Sequence, residues 1–341
     1  MGESSRFLHL GRIFWNYRVA RRTRLPHPPL RLWIESTNAC NLRCVMCPTS
    51  LPEAPKRGFM DFALYTKIVD EAAAFAYDAN LHHRGEAVLH PDLPRMIRYA
   101  HERGIRTMLH TNGTLLDAAK AREIVASGLD YLSFSFDGFE RETYEKIRVR
   151  ASFEQTLANI EGFLREKQSR GSRTPYTVIE VINFSGRGNA DRAAQARFVQ
   201  RFAGLPLDEV RIKEPHNWAG TVPEGQGADT RHFVPCTFPW FALVVFWDGT
   251  VVTCPQDFYG AYPVGNVRTS SLREIWNDEP LRKLRADMLA RDISGYKACA
   301  GCDAVHRPTF LGVPTPNLKR FLGETVVGYA RKARGLVVEK R

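Results

Sequence analysis

The sequence has no long apolar segment. No run of about 18 apolar residues occurs in its 341 residues, so no transmembrane helix is expected. The N-terminus contains arginines but neither a continuous apolar core nor a cleavage site, which excludes a secretory signal. With 44% hydrophobic and 25% charged residues, the composition is typical of a globular protein, and we expect it in the cytoplasm.

Acidic residues are also fewer than basic residues, and the formal net charge is +11. Residues 1–31 contain seven arginines and one glutamate, while residues 316–341 contain seven Lys or Arg and two glutamates. Residues 32–315 are therefore neutral overall, which argues against a nucleic-acid-binding surface on the body of the protein. The basic ends predict either solvated arms and helices or a contact with an acidic partner protein, an anionic substrate or a membrane surface.

Cysteines are few, and their arrangement argues against disulfides. The seven form two separated groups, Cys40/Cys44/Cys47 and Cys236/Cys254/Cys299/Cys302. Such grouping suits metal binding in a reducing compartment better than cross-linking. The first group has the spacing C-x3-C-x2-C. Since three is an odd number and the loop is tight, a disulfide reading of this group fails.

The first cysteine group follows the apolar run 31–36, which is expected to form a buried strand. Loops at the C-terminal ends of strands carry the chemistry of α/β folds. Three thiolates this close together can hold one [4Fe–4S] cluster through three of its irons, which leaves the fourth iron open to a ligand from outside the protein. A zinc knuckle is the alternative, although zinc motifs more often pair C-x2-C units.

At Cys40-Asn-Leu-Arg-Cys44-Val-Met-Cys47 the sequence resembles the radical S-adenosylmethionine (SAM) superfamily. The resemblance implies that SAM chelates the open iron and that the reduced cluster cleaves it to methionine and a 5′-deoxyadenosyl radical. It also implies an electron donor of the flavodoxin or ferredoxin type. Met46 stands where the family usually has an aromatic residue, and it should still present its backbone to the adenine.

The same resemblance suggests the remaining SAM contacts. Glu86, in a Gly-Glu pair, corresponds to the family carboxylate that binds the SAM ammonium, although an alanine replaces the usual following proline. Ser135, at a strand end, and Arg148, in the next helix, would bind the SAM carboxylate. Asn112 would either contact the ribose or only shape a turn. Asp137 is expected to cap the helix that follows it.

The second cysteine group supplies four thiolates, enough to saturate a structural zinc or one fully ligated [4Fe–4S] cluster. Its surroundings resemble the SPASM/twitch auxiliary-cluster domain of radical SAM enzymes, with a hairpin at 241–253, a helix at 271–289 and a final Cys-x2-Cys. Pro255 stands where full SPASM domains often have a second adjacent cysteine. The resemblance therefore implies the shorter twitch form with one auxiliary cluster, as in enzymes of the 2-deoxy-scyllo-inosamine dehydrogenase type.

Periodicity along the chain predicts six strands alternating with helices, and such alternation indicates a parallel α/β sheet. The resemblance selects a partial (β/α)6 TIM-like barrel with a C-terminal twitch/SPASM-like iron–sulfur domain. The predicted divisions are a basic amphipathic segment at 1–30, the barrel at 31–220, the auxiliary-cluster domain at 230–310 and a basic, helical tail at 311–341. Strands are expected at 31–36, 80–83, 105–110, 130–136, 176–182 and 208–212. Among the helices, an amphipathic one is expected over 6–20, and others over 93–103, 117–126 and 153–166. The helices over 93–103 and 117–126 are expected to stop at Gly104 and Gly128.

Polar residues near the last strand ends and the second cysteine group are candidates for catalysis. The residues predicted to act are Glu180, His216 and Asp257, and Lys213 is a further candidate for contact with substrate. The predicted reaction oxidises a secondary alcohol of a sugar or aminocyclitol to a ketone, as in antibiotic biosynthesis. In it the radical removes a hydrogen atom, a base takes the hydroxyl proton, and the auxiliary cluster accepts the second electron.

Three alternatives to this oxidation stay open. They are modification of a ribosomal peptide by thioether formation or epimerisation, epimerisation of a sugar, and a zinc-stabilised binding protein. The roughly 30 residues before the first strand are too few for a peptide-recognition domain. All seven cysteines are assigned as metal ligands, so no thiol is left as the hydrogen donor that epimerisation would use.

Overall fold

The computed structural model describes residues 3–182, 184, 192–213, 233–306, 309–310, 313–315 and 337–340. The predicted catalytic residue His216 lies outside these ranges. Helix α1, Glu3–Phe14, continues as a π-helical turn to Val19, which agrees with the amphipathic helix predicted over 6–20. In the part of the chain that the structure describes, no helix has the length and apolar character to cross a bilayer.

Strands and helices alternate through the central part of the chain, as the periodicity predicted. In order they are β1 Arg31–Ile34, α2 Phe62–Ala72, β2 Asp78–Asn80, α3 Leu93–Glu102, β3 Arg106–Thr111, α4 Ala118–Val125, β4 Tyr131–Ser135, α5 Arg141–Ile147, α6 Phe153–Ser169, β5 Tyr176–Ile182, α7 Arg192–Gln200 and β6 Glu209–Lys213. Consecutive strands are neighbours, and every pair is parallel. The parallel sheet predicted for a partial (β/α)6 barrel is therefore confirmed.

Capping residues fix where several of these helices begin and end. The side chain of Asp61 accepts from the backbone N–H of Leu64 at 2.7 Å, and Asp117 caps α4 in the same way. Such caps satisfy backbone donors that have no partner within the helix. Gly104 and Gly128 follow α3 and α4 with φ angles of 72° and 86°, a conformation that glycine adopts without strain. Both helices were predicted to stop at these glycines.

Alternate residues of each strand face opposite sides of the sheet. Leu109, Leu132 and Ile179 belong to the large apolar core beneath the helices. Their chain neighbours His110 and Glu180 face the other side, which we call the inner face. Because parallel strands all end at the same edge, polar side chains near their carboxyl ends collect in one region of the inner face.

The C-terminal part of the chain extends the same sheet. Strand β7, Ala242–Val245, pairs in parallel with β1, and β8, Thr250–Val252, and β9, Gly265–Asn266, follow in antiparallel order. Strands β10, Thr309–Phe310, and β11, Val313–Pro314, form a separate pair. At the opposite edge of the large sheet, β12 over 337–340 pairs in parallel with β6.

One prediction about this part of the chain needs correction. The helix expected over 271–289 is two helices, α9 Leu272–Asn277 and α10 Glu279–Ala290, because Asp278 ends the first and its side chain caps the second. The tail from 311 onward is expected to be helical; residues 313–314 and 337–340 are strands, and most of the tail lies outside the described residues. Two short helices complete the description, α8 Phe238–Phe241 and α11 Lys297–Ala300.

The N-terminal segment packs against the C-terminal part of the chain. The hydroxyl of Tyr17 donates to the carbonyl of Pro235 at 2.7 Å, and its ring lies edge-on to Trp240. The indole of Trp276 donates to the carbonyl of His27 at 2.6 Å. These buried contacts join the first 30 residues to the region that contains the second cysteine group.

Candidate active site

The first cysteine group forms a tight loop after β1. The backbone N–H of Cys47 donates to the carbonyl of Cys44 at 3.1 Å, which closes a turn between them. The backbone N–H of Leu42 points at the sulfur of Cys40 at 3.5 Å. Hydrogen bonds of this kind stabilise a sulfur that carries negative charge. All three cysteines are free of disulfides, as predicted.

Burial makes the thiols of Cys40 and Cys44 weak acids. It raises the pKa of Cys40 to about 11 and that of Cys44 to about 12. The negative charge of Cys47 adds to both increases, so the three sulfurs are close enough to repel one another as thiolates. Positively charged iron removes this penalty, since a coordinating thiol is deprotonated. The loop therefore fits the [4Fe–4S] cluster that its spacing predicts.

The predicted SAM residue Glu86 is buried beside this loop. Its carboxylate accepts from the backbone N–H of Asn112 at 2.6 Å, from the hydroxyl of Thr111 at 2.8 Å and from the backbone N–H of Val88 at 3.1 Å. Burial nevertheless raises the pKa of Glu86, because these bonds only partly replace lost hydration. An ammonium group placed beside this carboxylate would return the pKa toward its usual range.

Asn112 shapes the loop between β3 and α4. Its side-chain carbonyl accepts from the backbone N–H of Thr114 at 2.9 Å and from the hydroxyl of that residue at 2.7 Å. Its amide nitrogen donates to the side chain of Asn41, within the first cysteine loop, at 3.0 Å. Of the two roles predicted for Asn112, the turn is the one these bonds describe. The same bonds hold the cysteine loop against the end of β3.

The predicted carboxylate-binding residue Arg148 is buried between the cysteine loop and β4. Its guanidinium pairs with Asp137 at 2.5 Å and lies 4.0 Å from the sulfur of Cys44. The Nε atom of Arg148 is buried and has no hydrogen-bond partner within the described residues. A buried donor without a partner costs stability, so this atom fits a bound carboxylate. Ser135 and Met46, both half-buried, complete the predicted SAM set.

The prediction that Asp137 caps a helix is wrong. Its two carboxylate oxygens are used by the guanidinium of Arg148 and by the backbone N–H of Ile182, which donates at 2.8 Å. Helix α5 instead begins after Glu140. Asp137 therefore holds Arg148 in place from the ends of β4 and β5.

A cluster of charged side chains occupies the inner face near the ends of β3, β5 and β6. Glu180 lies 2.6 Å from the Nζ of Lys213, 3.0 Å from Arg211 and 3.6 Å from the Nδ1 of His110. Lys213 and His110 lead these interactions and hold the pKa of Glu180 well below its usual range, despite its burial. The structure thus shows Glu180 as a paired carboxylate among cationic neighbours. Its predicted catalytic role stays a prediction.

Two histidines stack on this inner face. The rings of His82 and His110 lie 4.3 Å apart, and the backbone N–H of His110 donates to Nδ1 of His82 at 3.2 Å. Burial holds the pKa of His82 well below its usual value, so that its ring is neutral. His110 lies between this neutral ring and the carboxylate of Glu180. The contact between an imidazole and a carboxylate is the arrangement by which proteins orient a general base.

The carboxylate of Asp257 is bonded within its own loop. It accepts from the backbone N–H groups of Ala261 at 2.7 Å and Tyr262 at 3.0 Å. Asp257 also lines the cavity that the second cysteine group surrounds, and its predicted catalytic role stays a prediction. The third candidate, His216, lies outside the described ranges.

The second cysteine group surrounds an enclosed space. A cavity of about 90 Å³ is lined by all four of its sulfur-bearing residues, Cys236, Cys254, Cys299 and Cys302. Its other walls are mainly apolar. Burial and the neighbouring sulfurs raise the pKa of Cys299 to about 12 and also raise the pKa of Cys254 well above its usual value. Four converging thiols around one cavity fit a metal group that all four ligate.

A buried ion pair connects the two cysteine regions. Glu35, completely buried, receives two hydrogen bonds from the guanidinium of Arg84, at 2.6 and 2.7 Å. The same guanidinium donates to the carbonyl of Phe258 at 3.2 Å. His83 lies between Glu35 and the carbonyl of Pro255, at 3.2 and 2.8 Å. The ends of β1 and β2 are thereby joined to the loop that follows Cys254.

Sequence reasoning missed His110, Arg84 and Glu35. The position of His110 could have indicated a functional role. It is a polar residue one position before the end of β3, and by alternation along the strand it faces the same side of the sheet as other polar residues. Glu35 was included in the first strand without a role. Nothing in the spacing of Glu35 and Arg84 indicates that they meet, because their contact depends on the pairing of β1 with β2.

Among the residues that the structure describes, no group of three or more His, Cys, Asp or Glu side chains has the geometry to hold a single metal ion.

Two family models match the chain. The Radical SAM superfamily model matches residues 34–190, and a model described as an iron–sulfur cluster-binding domain, SPASM, matches residues 236–303. The first implies a [4Fe–4S] cluster and SAM, and the second implies auxiliary iron–sulfur coordination in place of zinc.

Relatives of several activities are similar over most of their length. An AdoMet-dependent heme synthase of Methanosarcina barkeri is 35% identical, with 81% of this chain and 91% of the relative covered. A PqqA peptide cyclase of Gluconobacter oxydans is 31% identical, with 75% and 79% covered. The crystal structure of BtrN in complex with AdoMet and 2-DOIA has a TM-score of 0.54 and 18% identity, with 81% and 93% covered. This structural likeness shows the fold alone.

Proposed function

The chain belongs to the radical SAM superfamily and has a SPASM-type iron–sulfur domain, and we propose that it oxidises a small polar substrate by two electrons. The proposed reaction converts a secondary alcohol of a sugar or aminocyclitol to a ketone. The observation that carries the proposal is the cavity lined by four cysteines. A cluster ligated by four thiolates has no iron open to substrate, so electron acceptance is the role left to it.

The proposal assigns each cysteine group to one cluster. Cys40, Cys44 and Cys47 would hold the SAM-binding cluster, and the four cysteines around the cavity would hold one auxiliary cluster. When bound, the first cluster with SAM supplies a hydrogen-abstracting 5′-deoxyadenosyl radical, and the auxiliary cluster supplies an acceptor for the second electron. An electron donor of the flavodoxin or ferredoxin type is part of the same proposal.

We assign SAM recognition to the residues around the first cysteine loop. The carboxylate of Glu86 would accept from the SAM ammonium, and the unpartnered Nε of Arg148, with Ser135, would donate to the SAM carboxylate. Asp137 would keep Arg148 in position. Asn112 would hold the loop rather than contact the ribose, and Met46 would contribute its backbone near the adenine.

We assign proton removal to His110. It lies next in the chain to Thr111, whose hydroxyl donates to Glu86, and Glu180 at 3.6 Å would stabilise the imidazolium that forms. The substrate hydroxyl would lose its proton to this ring as the carbon that bears the hydroxyl is oxidised. His82 has its Nδ1 occupied by a backbone N–H and serves as the stacking partner.

The test uses the anaerobically reconstituted enzyme with dithionite as reductant and 2-deoxy-scyllo-inosamine deuterated at the carbinol carbons. We expect deuterium in 5′-deoxyadenosine and formation of the ketone, both measured by mass spectrometry. In a Cys299→Ala/Cys302→Ala variant that retains its fold, deuterium transfer should continue and the ketone should not accumulate. Ketone formation at the wild-type rate in that variant would refute electron acceptance by the auxiliary cluster.

Oxidation of a tetrapyrrole is a second candidate function, favoured by the 35% identity to an AdoMet-dependent heme synthase over 91% of that relative. The same assay with Fe-coproporphyrin III distinguishes the two, because its products differ in mass from the ketone. Substrate-dependent formation of 5′-deoxyadenosine with the tetrapyrrole, and none with the aminocyclitol, would replace the first proposal by the second. The assignments of cluster and SAM ligands are common to both.

A further inference from the structure

The outward face of the N-terminal helix carries a stripe of large exposed apolar side chains. Leu8, Phe14, Trp15 and Val19 have 67%, 42%, 57% and 52% of their surface exposed. Leu8, Trp15 and Val19 repeat at the helical period and share one side of α1 and its π-helical extension, and Phe14 lies on the adjacent side. Exposed apolar side chains scattered singly are ordinary, but several large ones grouped on one helix mark an interaction surface.

Contacts on the opposite face of the helix fix the direction of the stripe. His9 lies 3.0 Å from the carbonyl of Pro28, and the amide of Asn16 lies 3.2 Å from His27. Tyr17 is buried and donates to the carbonyl of Pro235. Because the helix is attached through this face, the stripe points away from the protein.

Arginines surround the apolar stripe. Five of them, all exposed, lie within 13 residues of one another: Arg12, Arg18, Arg21, Arg22 and Arg24. Arg291 approaches from the end of α10, where it lines a cavity of about 210 Å³ together with Arg18 and Arg21. Residues 7–30 contain no acidic residue, so this side of the protein is strongly positive.

We propose that the outward face of α1 and its extension docks the enzyme on a bilayer that contains anionic lipid. A helix with Trp, Phe and Leu on one side and arginines at its margins is suited to lie in the plane of the bilayer interface. The apolar side chains would enter the boundary between headgroups and acyl chains. The arginines would meet phosphate groups around them, which is the complementarity that favours a lipid surface over an acidic protein.

The test is flotation of the holoenzyme with vesicles of phosphatidylcholine, with or without phosphatidylglycerol. We expect binding only when phosphatidylglycerol is present, and a blue shift of tryptophan emission that Trp15→Phe reduces. The pair Phe14→Ser/Trp15→Ser should lower the partition coefficient at least tenfold. Each of Arg12→Gln and Arg22→Gln should lower it about fivefold. A matched control, Phe310→Ser, changes a residue that is 58% exposed on β10 and should leave it unchanged.

Cleavage of SAM should proceed at the wild-type rate in the stripe variants, which shows that they are folded. Equal binding to neutral and anionic vesicles would overturn the proposal, as would flotation unaffected by Phe14→Ser/Trp15→Ser. Absence of vesicle binding by the wild-type holoenzyme would also overturn it and would assign the stripe to a protein partner. None of these outcomes depends on the substrate of the barrel.

Discussion

Replacement of Glu35 by Gln should destabilise the protein through its buried partner Arg84. The carboxylate receives two hydrogen bonds from the guanidinium, and both side chains are inaccessible to solvent. The amide of Gln keeps the shape of the side chain but is neutral and turns N–H groups toward a guanidinium that only donates. The positive charge of Arg84 would then be buried without an adjacent negative charge.

Two estimates of the magnitude agree. The pKa of Glu35 is lowered from 4.5 to about 2, because the hydrogen bonds and charges of Arg84 and His83 outweigh its desolvation. This difference corresponds to about 3 kcal/mol of stabilisation. Removing one member of a buried ion pair generally costs about 3–5 kcal/mol. We therefore expect Glu35→Gln to reduce the free energy of unfolding by about 3 kcal/mol.

The assay is anaerobic thermal unfolding of the cluster-loaded protein, followed by tryptophan fluorescence. If all 341 residues unfold together, a loss of about 3 kcal/mol lowers the transition temperature by about 4 °C. Because the pKa of Glu35 is lowered, its contribution is complete well above pH 4.5. It should be lost as the pH falls toward the folded value of about 2.

Matched variants separate this effect from a general effect of lost charge. Glu154 forms an exposed pair with Arg141, and Glu154→Gln should cost less than about 0.5 kcal/mol. The double variant Glu35→Gln/Arg84→Met removes both buried charges and should be more stable than Glu35→Gln alone. The precision of such assays is about 1 °C. If the transition temperature of Glu35→Gln stayed within about 1 °C of the wild-type value, the reasoning would be refuted.

Three further predictions concern the cofactor sites and the proposed base. Glu86→Gln should weaken SAM binding by roughly 1.5–3 kcal/mol in calorimetry, and an unchanged affinity of this variant would remove Glu86 from the site. Because the pKa of Glu86 is raised, the affinity of the wild-type protein for SAM should also fall on acidification. Changing Cys40, Cys44 and Cys47 to Ala should lower the iron content from about eight to about four per chain, and complete loss of iron would contradict two independent sites. His110→Gln should retain hydrogen abstraction in the deuterium assay but lower the yield of ketone about 10²-fold or more, and full activity would exclude His110 as the base.

Much of the fold follows from local signals in the sequence. The strand predicted over 176–182 has those same bounds in the structure, because a buried run rich in β-branched residues strongly favours extended backbone. The helix predicted from Phe153 begins there and extends three residues beyond the expected end. Strand β2 begins two residues earlier and ends three residues earlier than predicted, although the backbone N–H of Leu81 still donates to the carbonyl of Met108 on β3.

The parts that sequence reasoning missed depend on contacts between distant residues. Aspartate is a common helix-capping residue, but the two carboxylate oxygens of Asp137 accept from Arg148 and from the backbone N–H of Ile182. Glu180 was predicted as a catalytic residue from its position near a strand end, but its ion-pair partners on β6 and β3 could not be predicted. The pairing of strands determines which side chains become neighbours. The sequence of one strand does not show which residue lies opposite on the next strand.

The segment 82–86 explains why the two cysteine regions form one structural unit. His83 and Arg84 reach toward the loop after Cys254, while Glu86 faces the first cysteine loop. Between them, a Cβ on Gly85 would lie 2.5 Å from the backbone carbonyl oxygens of Thr37 and Ala39. Backbone atoms cannot yield as a flexible side chain would, so only glycine allows the end of β2 to approach the start of the cysteine loop this closely. A displacement at this position would move both regions together, which is why Glu86, Arg84 and Gly85 act as one support for the site.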